Sequence, residues 1–129
     1  MNIKNFDFIN LQYGDTLEEL KDFNTKEEIN IQTISNIDLF NDFESIAALL
    51  KNLDLFITVS NSTAHLAGSL GVPTWLIKPK NHATFFYWNQ SNDKTPWYRS
   101  IKIFSTKNDY EETIIKIKKE LLKKFSIKN

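Results

Sequence analysis

Leu53-Asp-Leu-Phe-Ile-Thr-Val-Ser-Asn-Ser-Thr-Ala-His-Leu-Ala-Gly-Ser-Leu-Gly-Val-Pro-Thr-Trp-Leu-Ile77 is the stretch that decides the fold. Its first seven residues form a nearly continuous apolar run, which suits a parallel strand covered on both faces. Ser60, Asn61, Ser62 and Thr63 then supply helix-capping side chains. The helix predicted over Ala64–Leu70 stops at Gly71, at the position where a left-handed residue ends a helix, and Pro73 follows just beyond. Thr74–Ile77 reads as a short buried strand. Strand, helix and strand in so short a run make a parallel βαβ unit.

The same alternation extends in both directions. Upstream, Phe6–Gln12 reads as a strand ended by Gly14, and Asp15 or Thr16 caps a short helix through Phe23. Ile29–Thr33 is a second strand, and 34–41 a loop. Asn41 or Asp42 then caps a helix whose apolar set is Phe43, Ile46, Ala47, Leu49 and Leu50. Downstream, residues 78–99 form a long aromatic loop with a helical turn near Phe85, and Ser100–Phe104 is the last strand. Asp109 caps a final helix with Ile114, Ile117, Leu121 and Phe125 along one stripe. The order argues for an α/β fold with a mainly parallel sheet, in which ligands bind beyond the carboxyl ends of the strands.

The 129 residues amount to one domain. The absence of cysteine excludes disulfides, thiolate metal sites and cysteine nucleophiles, and three glycines are too few for a Walker loop or a GxGxxG fingerprint. No apolar run is long enough to span a membrane, and the N-terminus lacks the apolar core of a signal peptide, so a cytoplasmic location is expected. Charge balances overall but is divided: residues 1–60 are acidic and 61–129 basic. Arg99 is the sole arginine, which argues against nucleic-acid binding.

The candidate site is the turn at residues 59–65. A helix N-terminus offers unpaired N–H groups and partial positive charge, to which Ser60, Asn61, Ser62 and Thr63 add polar side chains. That combination suits a phosphate or diphosphate, although the same residue types also serve as plain N-caps. His65, in the first turn, can reach a phosphate, act as acid or base, or simply pack. Ala67 and Gly68 remove bulk, so the helix can press against a neighbouring strand. Trp88, Trp97 and Tyr98 offer faces for a base or a sugar, or else anchor the loop and dock a partner.

Four stretches carry a resemblance. Val59–Trp75, Asn10-Leu-Gln-Tyr-Gly-Asp15, Phe86-Tyr-Trp88 and Pro96-Trp-Tyr98 occur in the order seen in glycosyltransferases of family nine, the heptosyltransferase-like group. The likeness is to the branch often fused to tetratricopeptide repeats. It implies the C-terminal, donor-binding half of a GT-B enzyme, a three-layer Rossmann-like domain spanning residues 1–129. Such a half binds a nucleoside-diphosphate sugar for hexosyl or heptosyl transfer to a hydroxyl. By that likeness Ser60, Asn61, Ser62, Thr63 and His65 hold the diphosphate, Gln12, Tyr13 and Gly14 line the cleft, and neither metal nor other cofactor is needed. The chain departs from the pattern at Ser60, where many relatives carry Asp, at Phe86 and Arg99, and at Gln12, where some relatives have a basic residue.

The acceptor-binding half and its catalytic base fall outside these 129 residues, so the chain is expected to be incomplete as an enzyme. It would be a fragment, a truncated product or one partner of a two-chain enzyme. Its expected partners are a nucleotide sugar and an acceptor-binding domain or chain, or a second copy held through the aromatic loop. The alternatives are a non-catalytic nucleotide-binding or protein-interaction module, and a phosphate-binding α/β domain unrelated to sugars.

Overall fold

The computed structural model describes residues 5–27, 29–79, 86–88, 92–107 and 109–126. The chain is α/β, in the order β1 (Phe8–Asn10), α1 (Leu17–Glu27), β2 (Ile31–Thr33), α2 (Phe43–Lys51), β3 (Phe56–Val59), α3 (Ser62–Ser69), β4 (Thr74–Lys78), a 3₁₀ turn (Phe86–Trp88), β5 (Ile101–Ser105) and α4 (Tyr110–Lys124). It divides into two compact units, residues 1–46 and 47–129, with the boundary inside α2. Phe85 and the other loop positions 80–85 and 89–91 lie outside the described residues.

In the first unit β1 and β2 pair in parallel, with Ile9 opposite Gln32. Helix α1 runs past Phe23, where its apolar signal ends, to Glu27. Asn24 and Thr25 carry it there with side-chain bonds. Asn24 Nδ2 donates to the Ile31 carbonyl, its Oδ1 accepts the Ile31 N–H, and Thr25 donates to the Lys21 carbonyl. Asp42 caps α2, accepting the Ser45 N–H at 3.0 Å. Of the expected apolar set, Ile46 and Leu50 are buried, whereas Phe43 is exposed.

The second unit contains a parallel sheet ordered β3-β4-β5, with Thr58 opposite Leu76 and Leu76 opposite Ile103. The strand covered on both faces is β4, not β3: Thr74, Trp75, Leu76 and Ile77 are all buried, while Ile57 and Val59 of β3 are exposed. The physical reason is position, since β4 is central and β3 is an edge of its sheet. Ala64 of α3 packs with Leu76, Ile101, Ile103 and Trp88. On the alternate side-chain set, Trp75 meets Phe104, the Lys116 ammonium of α4 lies 5.7 Å from the Phe104 ring centre, and Lys102 pairs with Glu120 of α4. The buried stripe of α4 is Thr113, Ile117 and Leu121; Ile114, expected in it, is exposed.

Helix α3 is closed at both ends by local chemistry. Asn61 is its N-cap, and Gly71, at φ +69°, ends it. The Gly71 N–H donates to the Gly68 carbonyl and the Val72 N–H to the Ala67 carbonyl, with Val72 and Ala67 both buried. That is the paired closure of a Schellman motif.

Candidate functional site

Strand β3 ends at Val59, and Ser60 turns the chain into α3. The Ala64 N–H donates to Asn61 Oδ1 at 2.8 Å, and Asn61 Nδ2 donates to Thr58 Oγ1 at 3.0 Å. Asn61 is therefore spent on holding the turn, and an anion there would meet backbone N–H groups of the first turn. Thr63 is buried, whereas Ser60 and Ser62 are exposed.

Ser60 is joined to the aromatic loop. The Trp88 indole N–H donates to Ser60 Oγ at 2.9 Å. An indole nitrogen only donates, so the serine oxygen accepts and its own hydrogen is left to point elsewhere. Because Val59, the last residue of β3, lies opposite Ile77, Ser60 leaves β3 at the level where β4 reaches Lys78. The Lys78 ammonium donates to the Trp88 carbonyl at 3.4 Å. A helix N-terminus, a hydroxyl whose own hydrogen is not used by Trp88 and an ammonium thus share the carboxyl edge of the sheet.

Beside this edge stands an aromatic cluster. His65 stacks at 4.9 Å on Trp88 and meets Tyr87 edge-on at 4.7 Å. His65 Nδ1 and the Tyr98 hydroxyl are hydrogen-bonded at 3.0 Å. Among the described residues His65, Tyr87, Trp97 and Tyr98 line a cavity of about 160 Å³. Trp88 is wholly buried beneath them, so of its two sequence readings the structure shows the anchoring one: it supports the walls and does not offer a face to a ligand. Trp97, 57% exposed, and Tyr98 do offer faces. Gly68 is pressed against the Tyr98 ring, not against a strand: a Cβ there would lie 2.5 Å from Tyr98 Cγ.

Gln12, Tyr13 and Gly14 belong to the first unit, in the loop after β1. Asn10 shapes that loop, accepting the Gln12 N–H and donating to Thr16 Oγ1. Gln12 and Tyr13 are exposed, and Gly14 has φ +103°, a left-handed conformation that glycine adopts without strain. Tyr13 meets Phe40 edge-on at 5.7 Å. Asp38 accepts hydrogen bonds from the Asn41 side chain and from the Phe40 and Asn41 N–H groups, which hold its carboxyl below the usual range. It is thus a turn-forming residue. Hydrogen bonds from Ser45 lower Asp42 in the same way.

Sequence reasoning gave Lys78 and Phe40 no part in a site, and quoted Asn10 and Tyr87 only within motif stretches, without a role. Lys78 was the most legible of these, as a cation ending an apolar strand at the edge where ligands bind. Among the described residues no three His, Cys, Asp or Glu side chains gather as a metal site requires, and no helix is long and apolar enough to cross a membrane.

No family model and no solved structure matches this chain. Among curated proteins the chain is similar to Protein FlbA of Caulobacter vibrioides, with 35% identity over 99 residues. The matched part covers 77% of this chain and spans 16% of the length of that protein.

Proposed function

We propose that the chain is the donor-binding part of a GT-B glycosyltransferase similar to the heptosyltransferase group, with a three-layer Rossmann-like architecture. It binds a nucleoside-diphosphate sugar whose glycosyl group passes to a hydroxyl acceptor held elsewhere. The observation that carries this reading is the shared edge of Ser60, the α3 N-terminus and Lys78, tied together by Trp88. Donors fixed there would stabilise the diphosphate as it leaves, without metal, by electrostatics alone. The catalytic base belongs to the acceptor-binding part. Helices contacting both side-chain sets of the β3-β4-β5 sheet support the three-layer reading. Similarity to a small part of a longer protein fits a domain that works beside others.

A thermal-shift screen of the chain against uridine, guanosine, adenosine and cytidine diphosphates tests this. One of them stabilises the fold, by about 2.7 kcal/mol at a hundredfold excess over Kd. Asn61→Asp keeps a good cap but sets a carboxylate beside the anion, so it weakens binding about tenfold with little change in Tm. No response from a folded chain to any of the four overturns the proposal. Exposed Tyr13, Phe40 and Phe43 favour the second reading, a protein-interaction module without catalysis, and that outcome would promote it.

A further inference from the structure

We propose that the cavity bounded by His65, Tyr87, Trp97 and Tyr98 is a pocket for one pyranose ring, the sugar of the nucleotide donor. The inference rests on the donor reading and adds the place and chemistry of sugar recognition.

Size sets the first limit. Pockets that enclose a drug-sized ligand measure about 300–1,000 Å³, and a closed cavity of about 150 Å³ takes benzene, a ring smaller than a pyranose. At about 160 Å³ and open on one side, this cavity seats one ring against its walls with the rim in solvent, and does not hold a whole nucleotide sugar. Wall chemistry sets the second. The lining is aromatic, with the Tyr98 hydroxyl and the His65 imidazole as polar groups already in register with each other at 3.0 Å. Aromatic faces pack against the C–H faces of a pyranose, and a hydroxyl or imidazole bonds its rim. Among the described residues no carboxylate lines the cavity, and the Lys78 ammonium at the nearby edge disfavours a cationic occupant.

Distance from the diphosphate edge separates sugar from base. His65 lies two residues beyond Thr63 in the same helical turn, about 3 Å along the axis, and helical side chains lean toward the N-terminus. In a nucleotide sugar the glycosyl carbon is bonded directly to the diphosphate, whereas the base stands off by a ribose. The ring that reaches a pocket one turn from the phosphates is the sugar. Trp88 makes this proximity physical, since it bonds Ser60 of the diphosphate edge and stacks on His65 of the pocket.

The test compares nucleotide with nucleotide sugar in the full chain. UDP-glucose, GDP-mannose and ADP-glucose are each titrated against their own nucleoside diphosphate, in wild type, Trp97→Ala and Trp97→Phe. Trp75 and Trp88 are buried, so acrylamide quenching reports chiefly on Trp97. For the nucleotide that binds, the sugar form binds about fivefold more tightly and shields Trp97 from acrylamide, while the diphosphate alone does not. Trp97→Ala removes that increment and leaves diphosphate affinity and Tm unchanged, and Trp97→Phe retains most of it. An increment that survives Trp97→Ala, a missing increment with all three sugars, or equal weakening of both ligands overturns the pocket assignment while the donor reading stands. Absence of binding by every nucleotide, with or without sugar, overturns the donor reading and this inference with it.

Discussion

Gly68 and Tyr98 are in close steric contact. A methyl at Gly68 would lie 2.5 Å from Tyr98 Cγ, a distance real Cβ atoms do not tolerate. Tyr98 cannot readily swing aside, because its hydroxyl is bonded to His65 and its ring lies near Trp88. Two effects compete in Gly68→Ala. Helix propensity favours alanine by about 1 kcal/mol, and overpacking costs about 1–3 kcal/mol. The steric effect wins, so chemical denaturation of Gly68→Ala gives a net loss of stability and Gly68→Leu does not fold. A Gly68→Ala variant more stable than wild type would show that the Tyr98 ring is free to move. The need for a small residue was legible in the sequence. Its partner was not, because Gly68 and Tyr98 are thirty residues apart in the chain and meet only through packing.

Helix α2 is capped by a carboxylate. Asp42 accepts the Ser45 N–H at its N-terminus, and Asp38 gathers the preceding turn through Asn41 and the Phe40 and Asn41 N–H groups. Both carboxyls are held below the ordinary aspartate value, chiefly by the side chains of Ser45 and Asn41 respectively. A lowered folded-state pKa gives stabilisation that is fully present above the unfolded value of about 3.9 and is lost as pH falls through the folded value. Carboxyl-carbon NMR titration therefore shows Asp38 and Asp42 midpoints below 3.9, with the Ser45 amide shifting as α2 frays. Asp42→Asn keeps the cap and removes the acid dependence of that amide. Midpoints at the ordinary value would mean the cap is not formed in solution. The cap itself was readable, since Asn41 and Asp42 stand before an apolar periodic run. The choice between them was not, because both are good caps and the turn built on Asp38 decides.

At the scale of the molecule, burial is unequal. Among the described residues, Thr16 and Ile46 are the buried positions of the first unit, and α1 has none. The other buried residues lie in the second unit, around β4 and β5. Local opening follows buried apolar packing, so hydrogen exchange is expected to rank the units. Amides of β4 and β5 exchange at or near the global unfolding free energy, and those of β1, β2 and α1 exchange several-fold to orders of magnitude faster. Equal protection throughout would indicate one cooperative unit. The reading of residues 1–129 as a single domain came from length and from the span of the family resemblance, neither of which says how burial is shared among the residues.

The sequence by itself determined the alternation of elements, the parallel pairing it entails and the capped turn at Ser60–Thr63. These follow from local rules: periodicity, capping side chains, and glycine and proline as stops. Tertiary structure alone decided which strand is central, that Trp88 lies beneath the site instead of facing it, and that Lys78 joins the turn. It also decided that His65, Tyr87, Trp97 and Tyr98 come together around one cavity. These facts depend on which distant residues share the same space, and no local pattern of side chains encodes which neighbour will occupy it.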